Sequence, residues 1–285
     1  MSLTKKIDFA VVFKVVNANP NGDPLNGNRP RTIYEGNGEV SDVCIKRKIR
    51  NRLMEAGKNI FVQSDDNKKD DHPSLKSRAD AVLSGIKGKD EIAKKACEKW
   101  LDVRAFGQLF AFKATKGKGK EGEESGDDKG QSIGIRGPVS IQSAFSLSPV
   151  SVTSTQITKS VSGEGDGTKR GSDTMGMKHR VDRGIYAFYG SMNPQLSVKT
   201  GFNDEDAATI KAVLPRIFEN DASSARPEGS MEVLKVVWWE HNCASGQCSS
   251  AKVHRSLKVE DTDDLCNIIS FDELNGPTPE IIDGV

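Results

Sequence analysis

The order of strand and helix patterns along this chain predicts an α+β fold: a ferredoxin-like (RRM-like) sandwich carrying a helical insertion and a projecting hairpin. Three observations carry the prediction. Residues 3–16 are apolar on both alternating faces, a helix pattern with one apolar stripe follows at 41–56, and a further strand, helix and strand pattern occupies 186–239.

In the first strand Phe9, Val11, Phe13 and Val15 alternate with Ala10, Val12, Lys14 and Val16, which suits a central strand covered on at least one side by helices. The run Asn17-Ala18-Asn19-Pro20-Asn21-Gly22-Asp23-Pro24 then ends it, because Pro20 and Pro24 cannot donate to a ladder. Ser41 or Asp42 is expected to cap a helix that runs to about Ala56 and stops at Gly57. Ile45, Ile49 and Leu53 form its apolar stripe, with Lys46 and Arg50 beside the stripe and Arg47 further round. No acid interrupts 46–53, so these cations are expected to lack neutralising i,i+4 partners.

Residues 57–102 read as a helical insertion, with helices over 75–86 and 89–101, and 103–112 is expected to re-enter the sheet. Segment 113–132 is rich in Gly, Lys, Glu and Asp, cannot bury a core and reads as a mobile loop. Strand patterns resume at 133–147. Segment 150–183, rich in Ser, Thr and Gly with basic residues, reads as a projecting hairpin, since a long stretch without a core face is often functional. A strand over 186–196, a helix from Asn203 or Asp204 to Phe218 bent at Pro215, a strand over 231–239 and a tail over 265–285 that ends in turns complete a single domain with insertions.

The net charge is +1, so the distribution of charge must speak for partners: cations crowd 46–52 and 169–183, acids 121–128 and 260–264. No apolar stretch is long enough to span a membrane and the N-terminus lacks the apolar region of a signal peptide, so a cytoplasmic location is expected. Five cysteines, an odd number, fit reduced thiols. Cys243 and Cys248 lie near His241 and His254, four groups that zinc can use, but the spacing matches no common finger and reads as a surface turn; no cofactor is expected.

The chain has no phosphate-cradling Gly-x4-Gly-Lys-Ser/Thr, no His-Glu-x-x-His and no Gly-x-Ser-x-Gly. Asp23 in Asn-Gly-Asp-Pro is a turn fastener before it is a metal ligand. Phosphates are held by Lys, Arg, backbone N–H and Asn groups, all of which 17–31 and 46–52 supply. Aromatic content is only 6%, so base stacking is not expected to dominate and a binder of this kind tracks the backbone of any sequence. The 150–183 segment mixes cations with Met175 and Met177, apolar side chains able to wedge between bases.

The motifs Asn17-x-Asn19-Pro20-Asn21-Gly22-Asp23-Pro24, Gly27-Asn28-x-Pro30-Arg31, Ser41–Asn51, Arg104-x-Phe106-Gly107, Arg136-Gly137-Pro138-Val139 and Met175-Gly176-Met177-Lys178-His179 resemble the guide-RNA-binding backbone subunit of type I CRISPR Cascade, in its type I-C subgroup, over residues 7 to about 240. The resemblance implies an RRM-like palm with a finger-like helical insertion and a thumb hairpin. It implies copies polymerising head to tail along the CRISPR RNA, a heterologous, non-closing assembly. It also implies that sequence is read by base pairing with target DNA, and that the partners include the guide-handle-binding, large and small Cascade subunits. On the palm, Asn19, Asn21, Arg29, Arg31, Lys46, Arg47 and Arg50 are expected to hold the guide, with Arg136 and Ser143 on the strand facing it. On the thumb the expected contacts are Lys169, Arg170, Met175, Met177, Lys178, His179 and Arg180.

Three function classes compete. A non-catalytic RNA-binding filament subunit predicts salt-sensitive assembly in fixed nucleotide steps. A metal-dependent ribonuclease of the same superfamily needs Asp23 or Asp42 at a metal site. A protein scaffold predicts assembly indifferent to RNA. Scattered histidines and unclustered carboxylates weigh against the second, and the cationic helix weighs against the third.

Overall fold

The computed structural model describes residues 2–111, 132–159 and 175–285. In chain order the strands are β1 (Ile7–Ala18), β2 (Gly22–Asp23), β3 (Arg29–Pro30), β4 (Asn37–Val40), β5 (Gly107–Ala111), β6 (Ser132–Arg136), β7 (Val139–Ile141), β8 (Ala144–Pro149), β9 (Val152–Thr158), β10 (Met175–Met192), β11 (Met231–Glu240), β12 (Leu257–Val259), β13 (Ile269–Phe271) and β14 (Pro279–Asp283). The helices are α1 (Asp42–Glu55), α2 (Leu75–Leu83), α3 (Lys89–Lys99), α4 (Leu101–Phe106), α5 (Pro194–Thr200), α6 (Asp204–Val213) and α7 (Ser250–Ser256).

The main sheet is antiparallel, in the order β14-β11-β1-β10-β8-β4, with β7 and β9 also paired to β10. It is a mixed α/β architecture with β1 at its centre, and the chemistry of β1 explains why. Ile7, Phe9, Val11, Phe13 and Val15 are buried in one cluster with Ile45, Ile49 and Leu53 of α1 and Ala207, Ile210 and Val213 of α6. Burying a side chain such as Phe13 contributes roughly 1.5–3 kcal/mol. On the opposite face Ala10 packs with Val253 and Leu257, and Val12 with Ile185, Leu234 and Ile268. The strand is therefore covered twice, by α1 and α6 below and by α7, β12 and β13 above.

Ser41 caps α1, its Oγ accepting from the Cys44 amide at 3.4 Å, and Gly57 takes φ +77° just past the helix end. Asn203 and Asp206 form a reciprocal capping box on α6. That helix stops at Val213, short of the expected Phe218, and Leu214–Arg216 continue as a 3-10 turn containing Pro215, which has no N–H to extend an α-helical ladder.

Two other expectations change. The described part of that stretch, residues 103–111, does not re-enter the main sheet: Leu101–Phe106 is helical, Gly107 turns the chain at φ +82°, and β5 pairs with β6 in a separate two-stranded sheet. Phe110 is drawn instead into a second core with Phe61, Ala79, Leu83, Ala96, Cys97, Trp100 and Val103. The tail does not end in turns, because β14 adds an edge strand to β11 and Ile282 packs against the main core. The loop expected over 113–132 lies outside the described residues apart from Ser132. Among the described residues no helix is long and apolar enough to cross a membrane.

Candidate nucleic-acid interface

The loop after β1 is built by its own amides. Asn17 adopts φ +52°, a left-handed conformation that asparagine tolerates better than most residues, and turns the chain. Asn19 Nδ2 donates to the Asn28 carbonyl at 2.7 Å, and its backbone N–H donates to the Ala225 carbonyl at 2.8 Å. Asn21 Oδ1 accepts from the amide and hydroxyl of Ser41 at 3.0 and 2.9 Å, tying the loop to the start of α1. Asp23 caps the Pro24–Asn26 turn through the Leu25 amide at 3.1 Å and lies 3.5 Å from Arg31. Asn19 is buried and Asn21 half-buried. The side-chain bonds of Asn19 and Asn21 shape the loop, whereas Arg29 and Arg31 carry its charge.

Within the segment 150–183, β9 pairs antiparallel with Met175–Val181 of β10, and the same 18-residue strand continues into the centre of the main sheet. Lys169 and Arg170 lie outside the described residues. Met175 and Met177 are 67% and 55% exposed, high for side chains of their kind, and Gln156 Nε2 donates to Met175 Sδ at 3.6 Å. Loop and hairpin meet at Ser154: Arg29 Nη1 donates to its Oγ at 3.1 Å and His179 Nδ1 lies 2.8 Å from the same oxygen. Between them is a cleft of about 300 Å³ lined by Asn19, Asn28, Met177, Lys178, His179 and Ser224. Arg180, 46% exposed, reaches Asp182 at 3.6 Å.

The cations of α1 are not left without acids. Lys46 pairs with Asp42 one turn earlier at 2.9 Å, Arg47 with Asp66 at 3.1 Å, and Arg50 with Asp102 at 2.9 Å. The sequence run 46–53 is free of acids, but the fold brings them from other segments. Arg50 corrects the expectation most: its guanidinium stacks on Phe106, 5.1 Å from the ring centre, and its side chain is 12% exposed, so it acts as an internal strut. Arg47, with 53% of its side chain exposed, remains at the surface.

Arg136 is exposed at the end of β6, in the small β5–β6 sheet and not on the main sheet. Its motif is explained by backbone contact: a Cβ on Gly107 or Gly137 would collide with the carbonyl of Ile135 or of Ala105. Ser143 sits in the link between β7 and β8.

Several residues went unremarked in the sequence. Lys48 is buried and donates to Asp221 Oδ2, which also accepts from Arg226 at 3.1 Å. Burial pulls the Lys48 ammonium below its usual range, and the Asp221 carboxylate opposes that pull. This pair fixes the segment whose Ser224 and Ala225 wall the cleft. The basic run pointed to Lys48, but its inward direction was not legible. Ser154, in a stretch of small hydroxyl residues, carried no separate signal.

His241 and His254, weighed as zinc ligands, converge on the buried Asp8 at 2.9 and 3.6 Å, while Cys243 and Cys248 lie in the turn after β11. Among the described residues no group of three or more His, Cys, Asp or Glu side chains is arranged to hold a metal.

A mixed α/β protein that holds a cleft, with Lys178 and His179 on its wall, between an asparagine-laced loop and the paired strands β9 and β10 is the class these features define. The profile described as CRISPR-associated protein Cas7 matches residues 5–275, and the chain belongs to that family. It is 26% identical over 244 residues to the CRISPR-associated protein Cas7 of Haloferax volcanii, covering 83% of this chain and 71% of that one. Among solved structures, a chain of a CRISPR RNA-guided surveillance complex in a pre-nicking state aligns at TM-score 0.49 and 17% identity, covering 82% of this chain and 75% of that chain. A second, from a CRISPR RNA-guided surveillance complex, aligns at TM-score 0.45 and 16% identity, covering 92% and 78%.

Proposed function

We propose that this Cas7-family chain is the guide-RNA-binding backbone subunit of a type I Cascade complex, of the I-C subgroup, working in the cytoplasm. Copies polymerise head to tail along the CRISPR RNA and present it for pairing with target DNA, alongside the guide-handle-binding, large and small subunits. The main sheet with α1 and α6 serves as an RRM-like palm, the segment around α2 and α3 as a finger-like insertion, and the β9–β10 hairpin as the thumb. The role is non-catalytic: Asp23 is spent on a turn and on Arg31, and Asp42 on Lys46.

The observation that carries the reading is the junction of loop and hairpin at Ser154, where Arg29 and His179 converge beside Lys178 and the exposed Met177. Cations beside a hairpin with apolar, projecting methionines suit a phosphate backbone and an unstacked base. The proposed contacts are Arg29, Arg31, Lys46, Arg47, Lys178 and Arg180, with Met175 or Met177 as the wedge, and Lys169 and Arg170 further along the same thumb. Light scattering on a sizing column, with guide RNAs of graded length, tests this. Mass should climb in steps with RNA length and collapse at high salt; a mass indifferent to RNA rejects it.

A further inference from the structure

Charge is sorted between the two sides of the main sheet. On the side of α1, the helical insertion forms a cleft of about 360 Å³ at the end of that helix. Lys58, Lys69, Arg78 and Lys99 line it with one carboxylate, Asp70, which is spent on Arg78 at 2.7 Å. Lys69 closes the end of α1 by donating to the Met54 carbonyl at 2.6 Å. Among the described residues no acid pairs with Lys58 or Lys99. Val82, half-buried, lines the same cleft with Ile60 and Trp100, so the cations surround an apolar patch.

The opposite side of the sheet carries the complement. There Val259 and Ile269 pack against the face of β1 that shows Ala10 and Val12, and between them runs Glu260-Asp261-Thr262-Asp263-Asp264-Leu265. Asp263 holds Lys14 at 2.7 Å and Asp261 holds Arg183 at 2.8 Å, which fastens this loop to the sheet. Asp264 accepts from the Cys266 amide at 3.0 Å and from Asn267 Nδ2 at 2.7 Å, which shapes the loop. Glu260, Asp264 and Leu265 are exposed, Leu265 to 46%. An aliphatic side chain thus stands beside two carboxylates that no cation of the described residues neutralises.

The sheet lies between cleft and loop, so the two cannot meet within one chain, but they can meet between copies. We propose that the acidic loop 260–265 of one copy docks into the cationic cleft of the next, with Leu265 toward Val82 and with Glu260 and Asp264 toward Lys58 and Lys99. The two surfaces differ and lie on opposite sides of the sheet, so the contact is heterologous and can repeat from copy to copy. A strand phosphate would satisfy the cations but presents no apolar group to Val82, whereas the loop presents both charge and an aliphatic side chain. The inference rests on the guide-binding reading given above and adds to it the surfaces by which successive copies meet.

The test is charge reversal, read by light scattering and by titration of guide RNA. A short guide that holds one protomer reports guide binding alone, and a guide long enough for several also reports contact between copies. Lys58→Glu with Lys99→Glu should leave the short guide bound as before and raise the protein concentration that fills the long guide about tenfold, since like charges then face each other. Glu260→Lys with Asp264→Lys should do the same. All four changes in one chain should restore filling of the long guide.

A cleft variant that fills the long guide like wild type overturns the proposal, as does a fourfold variant that fills it no better than either pair. Weaker binding of the short guide by the cleft variant, with the loop variant unaffected, assigns the cleft to nucleic acid and overturns the proposal while the guide-binding reading stands. Should either pair fail to fold, Lys99→Glu against Asp264→Lys repeats the comparison with single changes. Wild-type protein that binds no guide RNA of any length rejects the guide-binding reading and this inference with it.

Discussion

Arg50 Nε donates to Asp102 Oδ2 at 2.9 Å, and the Asp102 carboxylate also accepts from the amides of Phe61 and Val62 at 2.7 and 3.0 Å. Asp102 is 1% exposed. One carboxylate thus binds α1, α4 and the segment entering the insertion, and a cation that looks like a surface charge in the sequence is a joint between the two cores.

Arg50→Ala should therefore destabilise the fold by about 3 kcal/mol, because it leaves the buried Asp102 carboxylate without its counter-ion, held only by the Phe61 and Val62 amides. Arg47→Ala, at the surface, should change stability by no more than about 0.5 kcal/mol while shallowing the salt dependence of RNA binding by about one phosphate contact. Denaturant melts and RNA titrations at several salt concentrations separate the two. Equal stability losses would contradict the assignment.

The Lys48–Asp221 pair behaves as a buried ion pair with a job at a distance. Asp221→Ala should cost about 3 kcal/mol and weaken RNA binding by loosening the 221–226 wall, whereas Lys48→Met combined with Asp221→Leu should recover much of the stability. Denaturation of the single and double variants reads this directly; a double variant no more stable than the single one counts against it.

Asp8 sets an acid limit. Burial pushes its carboxyl up, but His254, Ser250, His241 and Lys6 together outweigh burial and hold it at about 2, below the ordinary 3.8. A depressed folded-state value means the group contributes stability above pH 3.8, on the order of 2 kcal/mol, and loses it as pH falls through 3.8 toward 2. Melts between pH 2 and 6 should show that slope, and Asp8→Asn should flatten it. An unchanged slope in the variant would assign the acid sensitivity elsewhere.

Gly190 lies opposite Phe9 in the β1–β10 ladder, and a Cβ there would run into the Phe9 ring. Gly190→Ala should cost about 1–3 kcal/mol through overpacking, and Phe9→Leu should relieve part of that loss. Thermal melts of the two single variants and the pair measure the coupling; strictly additive losses would mean the ring is not the obstacle.

Elements whose reasons are local were legible in the sequence. The two-sided apolar pattern of β1 made it a central strand, Ser41 and Asn203 made helix starts, and Asn17 to Asp23 made a turn, because each follows from side-chain period or from hydrogen bonds within a few residues. Partners distant in sequence were not. Arg50 and Asp102 are 52 positions apart and Lys48 and Asp221 are 173 apart, so no pattern along the chain told which cations of α1 turn inward and which stay in water. The cleft has the same origin, since Asn19, Ile157, His179 and Ser224 come from four separate segments that meet only when β1 and β10 pair. Period and local hydrogen bonding decide which elements form. Packing decides which charges face each other, and so which buried polar atoms of the described residues, Asn19 Oδ1 among them, are left without a hydrogen-bond partner.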